Sequence, residues 1–237
     1  MSNQPDPGLV KIVSGHVLLG QLEPDELARV LAFSRTERFS SGQVIFRRGE
    51  PGQSMMTVIS GRIKISVSSS EGKEAVLAIL GRGEVLGEMS LLDGKERSAD
   101  ATAMEAGEAL SIHRRDFIPF LERNPAICIR MLGIMSNRLR RTSGMVEDRS
   151  FLDLPGRLAK TLIDLGGTDG TETEDGLRVE TRMSQRSFGA MLGASRETIN
   201  KQLKAWQDEG LILTGRGYVV LIDQRRLARN VGLDIGI

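Results

Sequence analysis

The 237-residue chain has 40% apolar and 27% charged residues and a formal net charge of +1, with one cysteine, Cys128. This composition excludes a disordered or fibrous protein, an internal disulfide and a cysteine-cluster metal site, and the length allows one large or two modest domains. The polar start MSNQPDPG carries no signal-peptide pattern, and the longest apolar run, AVLAIL at 75–80, is far short of the ~20 residues of a membrane span. A cytoplasmic protein with no membrane partner is expected.

From about Val13 to Ile112 the chain reads as β. Apolar or alternating runs at 44–46, 57–68, 74–80 and 108–112 are separated by glycines, among them Gly42, Gly61, Gly72, Gly83 and Gly94. Short strands so punctuated, with no helix of crossover length between them, predict a small antiparallel barrel or roll. From Arg115 the period becomes helical. RRDFIPFLER is one short segment, interrupted at Asn124-Pro125, and Pro125 suits the first turn of the next helix. That helix meets no proline from 126 to 154, and Met131, Met135, Leu139, Thr142 and Val146 form a near-heptad stripe along it. About 28 residues make a rod of roughly 40 Å. The stripe fits an amphipathic helix lying on the β domain or a dimer seam, and the rod is longer than so small a domain needs to cover itself.

FLDLPGR at 151–157 restarts a helix, with Asp153 as cap and Pro155 in the first turn. The stretch GGTDGTETEDG at 166–176 reads as a solvent loop. Charge is uneven here: residues 164–180 carry six acids against Arg178, whereas 182–204 carry five bases against Glu197. Such local patches, not the net charge, are what phosphates feel.

The basic stretch has the layout of a helix-turn-helix. Ser184 can cap a helix that buries Phe188, Met191 and Leu192; Gly193 supplies a positive-φ turn, and small Gly189 allows close approach of the next helix. Ser195 caps a second helix that buries Ile199, Leu203 and Trp206. Arg196, Glu197, Asn200, Lys201 and Lys204 are left on one exposed face near its start, and these residue types suit guanine, cytosine and adenine edges. ILTGRGYVVLI then reads as a hairpin wing across Gly-Arg-Gly.

With roll, rod and winged helix-turn-helix in this order, the sequence resembles the CRP/FNR family of transcription regulators, and within it the cAMP-binding branch. The resemblance spans roughly residues 30 to 222 and rests on GEMSLLDGKERSA at 87–99, RLRRTS at 138–143, FLDLPGRLAKTL at 151–162 and SRETINK at 195–201. It implies an α+β fold, with a cyclic-nucleotide-binding β-roll and dimerisation helix over 1–152 and a DNA-binding winged helix-turn-helix over 153–237. Carried over by position, Arg97 pairs with a cyclic phosphate and Ser98 bonds it, beside Ala99. Glu88 accepts from the ribose 2′-hydroxyl, and the Gly87–Met89 backbone opens a short helix facing the ligand. Ile65, Leu77, Ala78 and Leu80 line the purine and sugar. Arg138, Thr142 and Ser143 close over the ligand, with Thr142 meeting the base and Ser143 reaching it from the partner subunit.

The same resemblance implies an allosteric homodimer that reads a palindromic double-stranded operator, with RNA polymerase as a further partner. The DNA-contacting set is then Ser184, Arg186, Ser195, Arg196, Glu197, Asn200, Lys201 and Lys204. Three departures stand out. Lys201 replaces an arginine, Arg186-Ser187 replaces a Gln-Glu pair, and the cassette is one residue shorter before Arg97. Cyclic AMP is the expected effector, with cGMP or no nucleotide as alternatives. No haem or metal is expected: the only histidines are His16 and His113, and the iron–sulfur branch needs several cysteines. A regulatory subunit whose C-terminal helices bind protein is the rival of another class, and no enzyme motif is present.

Overall fold

A computed structural model describes residues 23–181 and 185–233. The chain divides into two compact units, Met1–Leu139 and Arg140–Ile237.

In the first unit the earliest described element is a helix, where the sequence reading had only β structure. α1 (Pro24–Phe33) has Pro24 in its first turn and a capping box in which Glu23 and Glu26 each bond the other's backbone. Residues 13–22 of that reading lie outside the described residues. The strands follow as β1 (Ser34–Phe39), β2 (Val44–Phe46), β3 (Ser54–Ser60), β4 (Ile63–Ser68), β5 (Glu74–Leu80), β6 (Val85–Leu86), β7 (Asp100–Ala103) and β8 (Gly107–His113). They form two antiparallel sheets ordered β1-β8-β3-β6 and β2-β7-β4-β5, the expected roll.

Period-two alternation along β3 divides the interior. Met56 and Val58 join Phe39, Ile63, Leu80, Leu86 and Ala101 between the sheets. Met55 and Ile59 point the other way, to a core with Leu27, Val30, Phe117, Phe120 and Ile127. Those last residues belong to α1, α3 (Arg114–Arg123) and α4 (Pro125–Phe151). Between β6 and β7 lies α2 (Glu88–Asp93), whose final carbonyls at Leu91 and Leu92 accept from Arg114.

One face of the rod lies on the β domain, as the first of the two readings expected, and another face is exposed. Ile127 and Met131 are buried in the β-domain core, so Met131 does not share an exposed stripe with Leu139. Leu132, Leu139 and Val146 recur at every seventh position and are exposed, as is Ile129. One residue is a 100° step on a helix, which is why 131 and 132 face different surroundings.

In the second unit, Asp153 accepts from Gly156 N at 2.9 Å and caps α5 (Leu154–Asp169). This helix corrects the loop expected at 166–176, because it continues through Gly166 and Gly167 and is followed by β9 (Thr171–Thr173) and β10 (Gly176–Glu180). Gly166 is there for closeness: a Cβ on it would lie 2.7 Å from Leu177 Cδ2. Then come α6 (Gln185–Leu192), α7 (Arg196–Asp208), β11 (Ile212–Gly215), β12 (Tyr218–Leu221) and α8 (Gln224–Asn230). The sheet order is β11-β12-β10-β9, and Arg216-Gly217 form the tight turn of the expected wing.

Leu158, Leu162, Phe188, Ile199, Trp206, Val219 and Leu227 make the core of this unit. Ile199 has no exposure, and Ile-to-Ala truncation at such a site costs about 2–5 kcal/mol. Ile199→Ala should therefore lower the urea midpoint seen in the emission of Trp206, the sole tryptophan. An unchanged midpoint would contradict this core.

Candidate functional site

Gly87 joins β6 to α2 in a left-handed conformation, φ 78°. It is required twice over. A side chain is strained at that φ, and a Cβ would lie 2.3 Å from Arg97 Nη1 and 3.0 Å from the Ser54 carbonyl. The guanidinium of Arg97 thus rests against bare backbone. Its segment is laced to the turn before β3: Arg97 N donates to Glu50 O at 2.8 Å and Gly49 N donates to Arg97 O at 2.9 Å.

Arg97 is 6% exposed. Nη1 donates to Ser54 O at 2.7 Å and Gly87 O at 3.1 Å, Nη2 donates to Ser54 Oγ at 3.2 Å, and the guanidinium carbon sits 4.3 Å from the Phe46 ring centroid. Three of the five N–H groups are used. Nε is buried and has no hydrogen-bond partner among the described residues. Burial draws the group below its ordinary pKa, while the charges of Glu88 and then Glu50 push it back up.

Glu88 is 0% exposed. It does not form a salt bridge with Arg97 across the loop; its Oε1 instead accepts from Arg138 Nη1, across 50 positions of sequence. Arg138 Nη2 also donates to Val85 O at 2.9 Å. Glu88 Oε2 is buried without a partner among the described residues. Where the resemblance has Arg138 closing over a ligand, the structure has it clasping Glu88 from α4.

The remaining residues are less uniform. Ile65 pairs with Ala78 across β4 and β5, and both pack with Leu80 against the inter-sheet core. Ser66 pairs with Val76, so Leu77 is the extra residue of a β-bulge and is 38% exposed, apart from that group. Ala99 is buried, whereas Ser98 is exposed with its hydroxyl 3.7 Å from Sδ of the exposed Met89. Thr142 and Ser143 are exposed on α4, beyond Leu139 and within the second unit. Sequence reasoning missed Ser54 and Phe46, which hold Arg97; nothing local to either position signals that role.

These residues fit a small phosphodiester with a hydroxyl. A buried carboxylate oxygen lacks a donor, a buried guanidinium N–H lacks an acceptor, and the Glu88 charge acts on Arg97. A hydroxyl and a phosphate oxygen are the complementary groups. Among the described residues no His/Cys/Asp/Glu group could hold a metal ion.

In the second unit the helix-turn-helix has the expected parts. Gly193 has φ +69°, and Ala194 N donates to Gly189 O at 2.9 Å. A Cβ on Gly189 would sit 2.6 Å from Ala194 O. Ser195 Oγ caps α7 by accepting from Thr198 N at 3.2 Å. Ile199 and Trp206 are buried beneath the helix, Arg196, Glu197, Lys201 and Lys204 are exposed, and Asn200 is half-buried. Ser184 lies outside the described residues; Arg186 is on α6, with its side chain outside them. The Glu197 carboxyl is held below the usual range, first by the Ser195 hydroxyl and then by backbone N–H.

Residues 36–124 match the family model of the cyclic nucleotide-binding domain, and residues 156–230 that of the Crp-like helix-turn-helix domain. The chain is 34% identical over 208 residues to the CRP-like cAMP-activated global transcriptional regulator of Mycobacterium tuberculosis, covering 88% of this chain and 93% of that protein. The chain belongs to the CRP/FNR family. This CRP-like chain is also 32% identical to the cyclic AMP receptor protein of Thermus thermophilus, over 87% of its own length and 93% of the relative's. A solved structure, the c-di-GMP responsive global regulator CLP of Xanthomonas campestris, superposes with a TM-score of 0.75 at 26% identity, covering 85% and 100% of the two chains. The family consists of transcription regulators, not enzymes, and this CRP-like member carries its nucleotide-binding and DNA-binding domains.

Removing the Ser195 hydroxyl tests the cap directly. Ser195→Ala should let the Glu197 carboxyl rise toward its ordinary pKa, read by NMR titration, and cost about 1 kcal/mol of stability. The carboxyl-linked part of the cap is present at neutral pH and is lost as pH falls through the depressed folded pKa of Glu197. A carboxyl titration identical in the two proteins would reject the Ser195 contact.

Proposed function

We propose that this chain acts as a cytoplasmic homodimer that takes up a cyclic nucleotide, cAMP foremost, and in response binds a palindromic DNA operator, with RNA polymerase as a further partner. The observation that carries the effector half is Glu88, fully buried with one carboxylate oxygen clasped by Arg138 and the other unpartnered. A ribose 2′-hydroxyl supplies the missing donor. Arg138 is committed to Glu88, whereas Arg97 bonds only uncharged oxygens and so keeps its charge for a singly charged cyclic phosphate. Arg97 offers its Nε edge to that phosphate, with the Ser98 hydroxyl beside it. Two of the similar proteins are named for cAMP, which favours that nucleotide over cGMP.

The dimer half of the reading rests on Leu132, Leu139 and Val146, exposed at heptad spacing. A second copy would cover them. The functional division falls at 152/153, where α4 ends and Asp153 caps the next helix. Arg196 and Glu197 then read base edges, with Asn200, Lys201 and Lys204 along the same helix, Ser195 at its cap, and Ser184 and Arg186 as further DNA contacts. Lysine at 201 is a point charge without the arginine fork, so readout there is weaker. A ligand shifts this equilibrium only by binding one arrangement better than the other.

The test titrates purified protein with cAMP and with cGMP while following binding to a palindromic duplex. Affinity for the duplex should rise with cAMP and fall with salt. Arg97→Lys keeps the charge but loses the directed edge, and should weaken cAMP binding about 10–100-fold, the equivalent of one charge-assisted contact. Lys201→Ala should weaken the specific duplex more than random DNA. Absence of any nucleotide response would overturn the effector reading; a monomer at all concentrations would overturn the dimer.

A further inference from the structure

The break between α4 and α5 is bridged by side chains that the effector and DNA-reading sets leave unused. Arg157 lies in the first turn of α5 and folds back, with Nη1 donating to Leu152 O at 2.7 Å, the carbonyl just before the Asp153 cap. Its Nη2 reaches in another direction, to Leu192 O at 3.5 Å. Leu192 ends α6 and immediately precedes Gly193, the positive-φ turn from which α7 departs. Nε is buried and has no partner among the described residues.

These three facts describe an unbalanced link. The bond to the break is short, the bond to the helix-turn-helix is at the outer limit of hydrogen bonding, and one buried donor is unsatisfied. A guanidinium is planar and rigid, so its two terminal nitrogens cannot adjust separately. Any shift of the Leu152 carbonyl therefore alters what Arg157 offers to Leu192. Lys160, one turn further on, also spans the break, 2.5 Å from Asp148, but that bond does not involve the Leu192 carbonyl.

We propose that Arg157 is a positioning residue that relays the conformation of the 152–153 break to the Leu192–Gly193 turn, and so sets the presentation of α7. This rests on the nucleotide-responsive reading above for its functional consequence, but not for the physical link itself. Both can be read on the full-length protein with Arg157→Lys and Arg157→Met, using Lys160→Met as a control that loses a bridge across the break without touching Leu192.

Amide hydrogen exchange without nucleotide tests the link. Both Arg157 variants should speed exchange several-fold in peptides covering 150–155 and 190–195, whereas Lys160→Met should change only the first. Exchange at 190–195 unaltered in the Arg157 variants would overturn the proposal. The second measurement is the ratio of duplex dissociation constants without and with cAMP. The ratio should fall at least fivefold in both Arg157 variants and much less in the control, with cooperative thermal unfolding retained. If Arg157→Met does not fold, Arg157→Lys decides, since it keeps charge and length but loses the fork. An unchanged ratio beside altered exchange would reduce Arg157 to a local staple and reject the relay. If the unsubstituted protein shows no cAMP dependence, the nucleotide reading fails and the exchange result alone decides on Arg157.

Discussion

A carboxylate with no access to solvent has to be matched within the fold, and that constraint at Glu88 organises the N-terminal unit. Stripping water from an ion costs several kcal/mol even after relaxation, and removing the partner of a buried pair is worse than never having made it. Arg138 meets the charge from the rod, which ties α4 to the loop after β6. Arg97 lies close enough for the Glu88 charge to act on it, yet its own bonds go to the Ser54 and Gly87 carbonyls and the Ser54 hydroxyl. The two cations therefore have distinct work. One neutralises the carboxylate, and the other is held in place by uncharged oxygens, which fix its direction without neutralising it.

What the sequence made legible followed from local rules. Gly87, Gly189 and Gly193 sit where a positive φ or close approach is needed, and caps at Asp153 and Ser195 start the helices they suggested. The misses came from equally local signals being outvoted. α1 carried Pro24, a Glu23/Glu26 box and apolar residues at helical spacing, but lay within a stretch judged by its strands. Gly166 and Gly167 looked like a turn because glycine disfavours helix by about 1 kcal/mol. Packing against Leu177 overrode that preference at Gly166.

The site divides in the same way. The family resemblance of 87–99 pointed to Glu88 and Arg97, and residue types and spacing in 195–204 pointed to the α7 face. No local pattern could announce that Arg138 would reach Glu88, or that Ser54 and Phe46 would fix Arg97, since those contacts span between 43 and 51 positions of the chain. The bulge at Leu77 was equally hidden, because strand alternation alone cannot show where an extra residue enters. Period-counting also failed on the rod, where a heptad stripe begun one residue too early mixed a core residue with the exposed ones.

The strand β9 bears on how the molecule avoids unwanted company. It is the rim of its sheet, all three of its residues are exposed, and Glu172 stands mid-strand with Glu174 and Asp175 in the adjoining turn. Bare rims invite another polypeptide to extend the ladder, and brevity with repelling charge is a recurrent defence. The pairing proposed for the exposed face of α4 would close on itself, whereas rim-to-rim association would propagate into filaments. The acidic hairpin thus discourages polymerisation along the sheet without touching the helix face on which a pair would form.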